Sequence, residues 1–520
     1  MSLLLALPLL PLVAAAWLAL SSRSEQLATG WMVALVAAFP VAIAALYPSD
    51  RLEFPELLVR GDAALVLDHA ARAALLLFGG LWLSTGLLLT RTREQGPAAT
   101  ALLVGLSGAL TLALAEGGPL VYAGMLATGY GLYAAMANEP GDEWRRSARA
   151  FIVLLVASDL LVFELLLSGT AEPALEVSRK LLLLGLVAMA LRGCIPPAHA
   201  WLPPALAVVG TPVALLLVAV PPGMALFGAL KLLPEGAGGI AVVCALLGLG
   251  GAAWVTVAGL AQRQARPTLA YALAASAALL LISFPAGSGP DGELAWLGLA
   301  LLATCSALLL IGLQYAGWSR DIAIALTLLT HGMAGGHAAA HAATALPVWA
   351  GLLVPAVAVT ASLLMTLAAR RMAAVARDDA SIETTRLAFV PILLGCTGLG
   401  LAWLASWPGF ASAWTAPVGI TLGLVIFRLV PAGTAPRIPA GDLLGPVERM
   451  VGALLGWLGT LFLQHLPRAR NRAEAVLLSL WDGAAWSRRI QRLDLRLRAW
   501  PTTSLLMLLV ACSAALLLVK

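Results

Sequence analysis

Long apolar runs without any charge are the feature that most constrains this chain. Residues 205–230 contain no Asp, Glu, Lys or Arg, and about 20 consecutive apolar residues suffice to cross a bilayer as a helix. Of the 520 residues, 61% are apolar and 11% are charged, whereas soluble domains have about 25% charged residues. Such a chain has too little polar surface to face water. The sequence therefore predicts an all-α, polytopic membrane protein.

Similar runs recur along the whole chain and predict about 14–16 transmembrane helices. The polar and apolar residues do not alternate as they would in a transmembrane β-barrel. The first run, Met1 to Leu20, lacks the basic start and the cleavage site of a signal peptide, and we interpret it as a span. The expected spans are 2–20, 28–47, 70–90, 98–115, 118–137, 149–169, 179–197, 205–232, 240–260, 268–285, 292–314, 320–344, 347–369, 386–407, 411–430 and 502–519.

Arginines mark alternate loops and indicate how the chain is oriented. Loops with Arg145 and Arg370 alternate with acidic loops such as that of Asp291. The positive-inside rule then places the Arg-rich loops in the cytoplasm and both termini outside, with Arg179 and Lys180 as an outer-side exception. We expect a multi-pass protein of the bacterial cell (inner) membrane. The net charge of +5 is attributed to these loops, and no nucleic-acid partner is predicted.

Two blocks of five predicted spans follow N-terminal membrane helices at 1–97. The first block covers 98–232 and the second 240–371. Because five is an odd number, the second block would be inverted in the membrane, which makes two inverted five-helix repeats. Each block has an interruption, at Pro196-Pro197 and Pro203-Pro204 in the first and at Gly332, Gly335 and Gly336 in the second. Matching interruptions in inverted repeats indicate an ion or substrate path at mid-membrane.

The remaining chain is divided into core helices at 386–430, an amphipathic segment at 440–500 and an anchor helix at 502–519. The segment at 440–500 mixes Arg, Asp and Glu with Leu and Trp, which is typical of helices lying on the membrane interface. A solvated basic tail is the alternative.

Cofactor and catalytic motifs are missing from the sequence. The five cysteines are scattered and form no CxxC pair, so no metal site, iron–sulfur site or other cofactor is predicted. There is also no phosphate-binding loop and no hydrolase elbow. The sequence predicts no catalytic site of its own.

The residues around the first interruption carry a family resemblance. They read His199-Ala-Trp201-Leu-Pro203, followed by Thr211 and Pro212. This segment resembles the antiporter-like subunits of respiratory complex I and of Mrp-type cation/proton antiporters. Two weaker matches are Val66-Leu67-Asp68 and Ala270-Tyr271. The resemblance implies a subunit of a multi-subunit complex, with other membrane subunits, the lipid bilayer, and protons or monovalent cations as partners.

The resemblance also implies a proton path along the membrane midplane, but this chain departs from it. The family's titratable positions fall on Leu126, Arg192, Gly223, about Ser306 and about Ala345. Four of these residues are apolar or small and cannot hold a proton. Arg192 keeps its proton, so it influences neighbouring charges without relaying. Pro204 stands where the family has an Asp.

Charges that remain inside the spans are functional candidates, because they are costly there. Asp159 and Glu164 lie on different faces of one predicted span, and either could pair with Arg192 or Lys180. One interpretation is a relocated proton carrier, and the other is a structural ion pair. Lys231 is expected to extend its amine to the membrane surface.

Three of the six histidines, His331, His337 and His341, fall on one predicted span. His337 and His341 are four residues apart and share a helix face. They are interpreted as a proton relay, because imidazole titrates near neutral pH. Packing residues, or haem or metal ligands, are the alternatives. His199 is expected to orient the interruption.

Three functions remain open from the sequence. The chain is a proton-conducting subunit with a rewired path, a non-conducting scaffold or partner subunit, or an independent secondary transporter. The lost charges favour the scaffold, and the histidines favour conduction.

Overall fold

The computed structural model describes residues 3–20, 29–54, 63–90, 96–139, 142–169, 179–233, 240–287, 293–311, 318–378, 414–429 and 438. They belong to the first of two compact units, Met1–Gly441, and the second unit, Asp442–Lys520, is outside them. The predicted span at 386–407, the amphipathic segment at 440–500 and the anchor at 502–519 therefore lie outside the described residues.

Fifteen α-helices make up most of the described chain. Eleven helices are long and apolar enough to cross a membrane, and three shorter apolar stretches lie at Ala98–Leu114, Leu181–Arg192 and Thr415–Leu429. The prediction of an all-α, polytopic membrane protein is confirmed. The helices are α1 (Leu3–Leu20), α2 (Thr29–Leu46), α3 (His69–Leu89), α4 (Gly96–Leu114), α5 (Gly118–Ala137), α6 (Trp144–Gly169), α7 (Arg179–Arg192), α8 (Leu202–Val208), α9 (Thr211–Leu232), α10 (Ala241–Ala261), α11 (Ala265–Ser283), α12 (Glu293–Ile311), α13 (Trp318–Ala343), α14 (Val348–Asp378) and α15 (Thr415–Leu429).

Helices α9, α11 and α12 form the centre of the bundle. In the most apolar stretch of each, 94% of the residues are buried, against 28% in α1 and 33% in α6. The outer helices turn apolar side chains outward, for example Val153 and Leu160 of α6, which are both 65% exposed. The central helices are apolar on all sides, and the outer helices have an apolar outer face. This pattern suits a bundle whose solvent is lipid.

A small antiparallel sheet lies at one end of the bundle. It consists of β1 (Arg51–Glu53), β2 (Ala64–Val66) and β3 (Ala115–Glu116), in the order β1-β2-β3. Leu65 pairs with Leu52 on one side and with Ala115 on the other. The all-α prediction did not include this sheet, because strands of two or three residues are too short to leave a periodic pattern.

Around the first interruption, the backbone leaves helical geometry at two places. Helix α7 ends at Arg192, and a short 3-10 helix, Ala198–Trp201, leads into α8. Pro196 and Pro197 have no backbone N–H, and proline disfavours helical geometry in the residue before it. The span predicted at 205–232 starts later in the structure, at Thr211, because the backbone leaves the helix at Val209 (ψ 150°) and re-enters it at Thr211.

The second predicted interruption is wrong, because α13 is continuous through its glycines. A Cβ on Gly332 would lie 2.5 Å from the Cα of Ala416 in α15, and Thr415 Oγ1 donates to the Gly332 carbonyl over 3.0 Å. Small residues permit such close approach of two membrane helices. Gly332 therefore serves helix packing here, and the inverted relation of the two blocks stays a prediction.

Candidate functional site

A buried ion pair joins α6 to the end of α7. Arg192 is 1% exposed, and its Nη2 donates to Asp159 Oδ1. Its Nε donates to Ser158 Oγ over 3.2 Å, and its Nη1 donates to the Met125 carbonyl of α5 over 3.0 Å. A charged pair tolerates burial only when further hydrogen bonds satisfy its remaining donors. Arg192 is therefore anchored to α5 and α6 at the point where α7 stops.

The two carboxylate oxygens of Asp159 have different surroundings. Oδ1 accepts from Arg192, whereas Oδ2 is buried and meets no hydrogen-bond donor among the residues that the structure describes. The neighbouring Ser158 hydroxyl donates to the Ala188 carbonyl over 2.8 Å, so its hydrogen is already used. Buried polar atoms normally have a hydrogen-bond partner, and a water molecule or a bound proton would supply one for Oδ2. Oδ2 is thus able to accept a proton while Oδ1 stays bonded to Arg192.

The other candidates for this pairing lie elsewhere. Glu164 is five residues beyond Asp159, roughly 140° around the helix, and it stands on the exposed face of α6 next to Leu160. Lys180 is in the first turn of α7, and its side chain is outside the described part of the chain. The structure therefore pairs Arg192 with Asp159, one of the two carboxylates that the sequence left open.

His331 is enclosed between hydroxyl groups of two neighbouring helices. Its Nδ1 lies 2.8 Å from Thr304 Oγ1, and its Nε2 lies 3.3 Å from Ser276 Oγ. Thr304 donates its one hydroxyl hydrogen to the Leu301 carbonyl over 2.7 Å, so it accepts from Nδ1–H. Ser276 can donate to Nε2 or to the Ala272 carbonyl, 3.0 Å away. This arrangement accommodates both a neutral and a protonated ring, because both hydroxyls have a backbone acceptor.

His337 and His341 lie nearer the C-terminal end of α13. Both are half-buried, and His341 Nε2 is 3.1 Å from the Gly287 carbonyl. A carbonyl only accepts, so Nε2 carries the hydrogen in this tautomer. His331 is thus the fully buried member of the three, at 1% exposed.

The residues around the first interruption contact neighbouring helices. The His199 ring stands edge-on to Tyr271 of α11 at 5.6 Å between centroids, and Trp201 packs on Phe151 of α6 at 4.4 Å. Pro203 lies in the first turn of α8. Thr211 and Pro212 open α9, and Arg266 Nη2 donates to Thr211 Oγ1 over 2.8 Å.

Two adjacent residues of α9 contact Arg192 and apolar side chains of α3 and α12. Met224 Sδ lies 4.0 Å from Arg192 Nη1. A Cβ on the adjacent Gly223 would meet the Phe78 ring at 3.1 Å and Leu302 Cδ1 at 3.5 Å. Leu302 precedes Thr304, the partner of His331, by two residues. Where the family resemblance implies a lysine, this chain has a glycine covered by an aromatic ring.

Lys231 lies in the last turn of α9, at the sheet end of the bundle. Its side chain is exposed, and its Nζ donates to the Ala115 carbonyl of β3 over 2.6 Å. This position suits an amine that extends to the membrane surface.

Ser158, Ser276 and Thr304 are site residues that the sequence reasoning missed. Hydroxyls inside membrane helices commonly bond to their own backbone, so nothing in the sequence distinguishes these three. Within the described residues, no three His, Cys, Asp or Glu side chains are grouped as metal ligands would be.

Comparison with known proteins identifies solved structures with the same fold. No protein-family profile matches the sequence, and no curated protein matches it. A chain of the Mrp complex from Dietzia sp. DQ12-45-1b aligns over 94% of this chain, with a TM-score of 0.70 and 18% identity. The two chains share one fold. This chain spans 63% of the length of that Mrp chain.

A second structure gives the same result over nearly the whole of both chains. It is a chain of the membrane-bound sulfane sulfur reductase (MBS), an archaeal respiratory membrane complex. The TM-score is 0.66 at 16% identity, with 91% of this chain and 98% of that chain covered. The predicted resemblance to the subunits of such membrane complexes is confirmed at the level of the fold.

Proposed function

We propose that this protein is a membrane subunit of a multi-subunit ion-translocating complex, and that it accepts and releases protons at Asp159 and His331. The fold supports the first part, because the two similar structures are chains of an Mrp complex and of a respiratory membrane complex. The second part rests on the titratable groups buried within the spans. Other membrane subunits are the expected partners.

One observation carries the proposal, namely the divided environment of the Asp159 carboxylate. Arg192 holds Oδ1 and remains protonated, while Oδ2 has no donor among the described residues. A proton can therefore bind at Oδ2 and leave again without breaking the contact with Arg192. An intramembrane carboxylate with a fixed countercharge is a common element of proton pathways.

His331 supplies a second group with a plausible transfer geometry. A proton that binds at Nε2 on the Ser276 side produces an imidazolium ring, which donates from Nε2 to Ser276 and from Nδ1 to Thr304. Loss of that proton from Nε2 regenerates the neutral ring with its hydrogen on Nδ1. The two hydroxyls hold the ring during both states.

A non-conducting scaffold is the second candidate, and a specific observation favours it. Phe78 and Leu302 pack at Gly223, next to the Met224 that contacts Arg192, and apolar groups cannot carry a proton. In this case the Asp159–Arg192 pair would lock α6 against α7, and the subunit would only support its partners.

Proton flux through the purified complex in vesicles separates the two candidates. An imposed potassium gradient with valinomycin supplies the driving force, so that no knowledge of the energy source is needed. We expect Asp159→Asn and His331→Gln to leave the complex assembled and to lower the flux at least tenfold, whereas Glu164→Gln retains the parent flux. Parent-level flux in both assembled variants would reject conduction at these groups and support the scaffold.

A further inference from the structure

The joint between α8 and α9 is held from two sides. The Gly210 N–H donates to Glu139 Oε2 over 2.8 Å. Arg266, at the start of α11, donates through Nη1 to the Val209 carbonyl over 2.9 Å and through Nη2 to Thr211 Oγ1 over 2.8 Å. Each of the three residues at the joint therefore has a bond to a side chain that comes from another part of the chain.

The absence of a side chain at Gly210 lets the carboxylate approach. A Cβ there would lie 3.2 Å from Glu139 Oε2 and 3.3 Å from Oε1, which is tighter than an ordinary contact. Glu139 follows α5 by two residues, outside the span, and faces the N-terminus of α9. Helix N-termini present unsatisfied N–H groups, so an oxygen acceptor is favourable in this place.

The carboxyl of Glu139 is half-buried at this position. Burial raises its pKa above the ordinary glutamate value, and the Gly210 bond and the charge of Arg266 oppose this only in part. The joint itself contributes no titratable side chain. Asp142 and Arg145 bond to each other over 2.8 Å, Arg371 bonds to Thr268, and Glu143 and Arg263 are exposed. Arg266 is thus the charge that acts on Glu139.

We propose that Glu139 and Arg266 are positioning residues that clamp the joint between α8 and α9, and that this clamp tightens when Glu139 takes up a proton. A closed joint keeps the carboxyl half-buried, whereas an opened joint hydrates it. Water stabilises the charged form more than the neutral form, so ionisation favours opening. By linkage, the opening free energy falls as the pH rises through the pKa of Glu139 in the closed state.

The clamp matters because of what α9 touches. Met224 of α9 contacts Arg192, and Gly223 contacts Phe78 and Leu302. The helix that starts at the joint therefore contacts the buried Arg192 directly. The clamp acts on α9 whether or not the chain conducts, so it goes beyond the proposed function and is tested without it.

Hydrogen–deuterium exchange of the purified complex measures opening of the joint directly. The reporters are the amides of Val209, Gly210 and Ala214, which are bonded to Ala205, Glu139 and Gly210 respectively. After correction for the intrinsic pH dependence of exchange, the wild-type peptide spanning 205–214 should open more often at pH 8 than at pH 4.5. A flat profile, or one of opposite slope, would overturn the proposal.

Two substitutions of Glu139 should have opposite effects. Glu139→Gln keeps an acceptor for Gly210 and is always neutral, so it should show the protected, low-pH behaviour at every pH. Glu139→Ala removes the acceptor and should open roughly five- to tenfold more often at pH 4.5. Asp142→Asn is the matched control and should keep the wild-type profile. If Glu139→Ala exchanges like wild type, the clamp does not exist. Should Glu139→Ala fail to assemble, the profiles of the wild type and of Glu139→Gln decide.

Discussion

Replacing one partner of the Asp159–Arg192 pair should destabilise the protein more than replacing both partners. In Asp159→Leu, the guanidinium of Arg192 keeps only Ser158 Oγ and the Met125 carbonyl as oxygen acceptors among the described residues, and its charge is uncompensated. In Arg192→Met, the Asp159 carboxylate is buried alone. Removal of one partner from a buried pair costs about 3–5 kcal/mol, whereas apolar replacement of both partners is often neutral.

The double variant Asp159→Leu/Arg192→Met should therefore be more stable than either single variant. From these values we expect an interaction energy of about 3 kcal/mol or more in the double-mutant cycle. The fraction of intact complex in detergent, followed on heating by native gel electrophoresis, ranks the four proteins. Ser158 stays satisfied in the double variant, because its hydroxyl donates to the Ala188 carbonyl.

A parallel cycle with Glu164 provides the control. Glu164 lies on the exposed face of α6 and has no place in the buried pair, so Glu164→Gln and Arg192→Met should combine additively. Additive losses in the Asp159 cycle as well would refute the reasoning, because they would mean that neither charge depends on the other for its burial.

Three further predictions concern packing, the histidines and topology. Gly332→Ala should cost about 1–3 kcal/mol through overpacking against α15, whereas Gly335→Ala should be tolerated, because its Cβ would meet only an ordinary contact at 3.5 Å; thermal unfolding of the complex compares the two. If His337 and His341 line a hydrated path, the double replacement by Ala should abolish proton flux in an assembled complex, and unchanged flux would exclude a relay there. A cysteine at Arg145, in a background without native cysteines, should react with an impermeant maleimide from the cytoplasmic face, and labelling from outside would reverse the topology.

The sequence alone determined that the solvent is lipid and that the chain is a helical bundle. Both conclusions follow from local properties, since the length of an apolar run and its lack of charge decide whether a helix can cross a bilayer. An interruption at Pro196 and Pro197 was equally predictable, because proline acts on the backbone next to it. The same local reasoning failed at Gly332, since glycine permits both a helix break and a close helix contact.

Only the tertiary structure decided which groups meet. Asp159 and Glu164 are equivalent in the sequence, but the buried face of α6 selects Asp159 for Arg192. Ser276 and His331 are 55 residues apart, and the joint at Gly210 depends on Glu139, 71 residues before it. These contacts depend on how whole helices pack against each other, and no periodicity within one helix records that. Composition identifies lipid as the solvent because each apolar helix contacts lipid independently of the others. A site, in contrast, requires segments that are distant in the chain to come together.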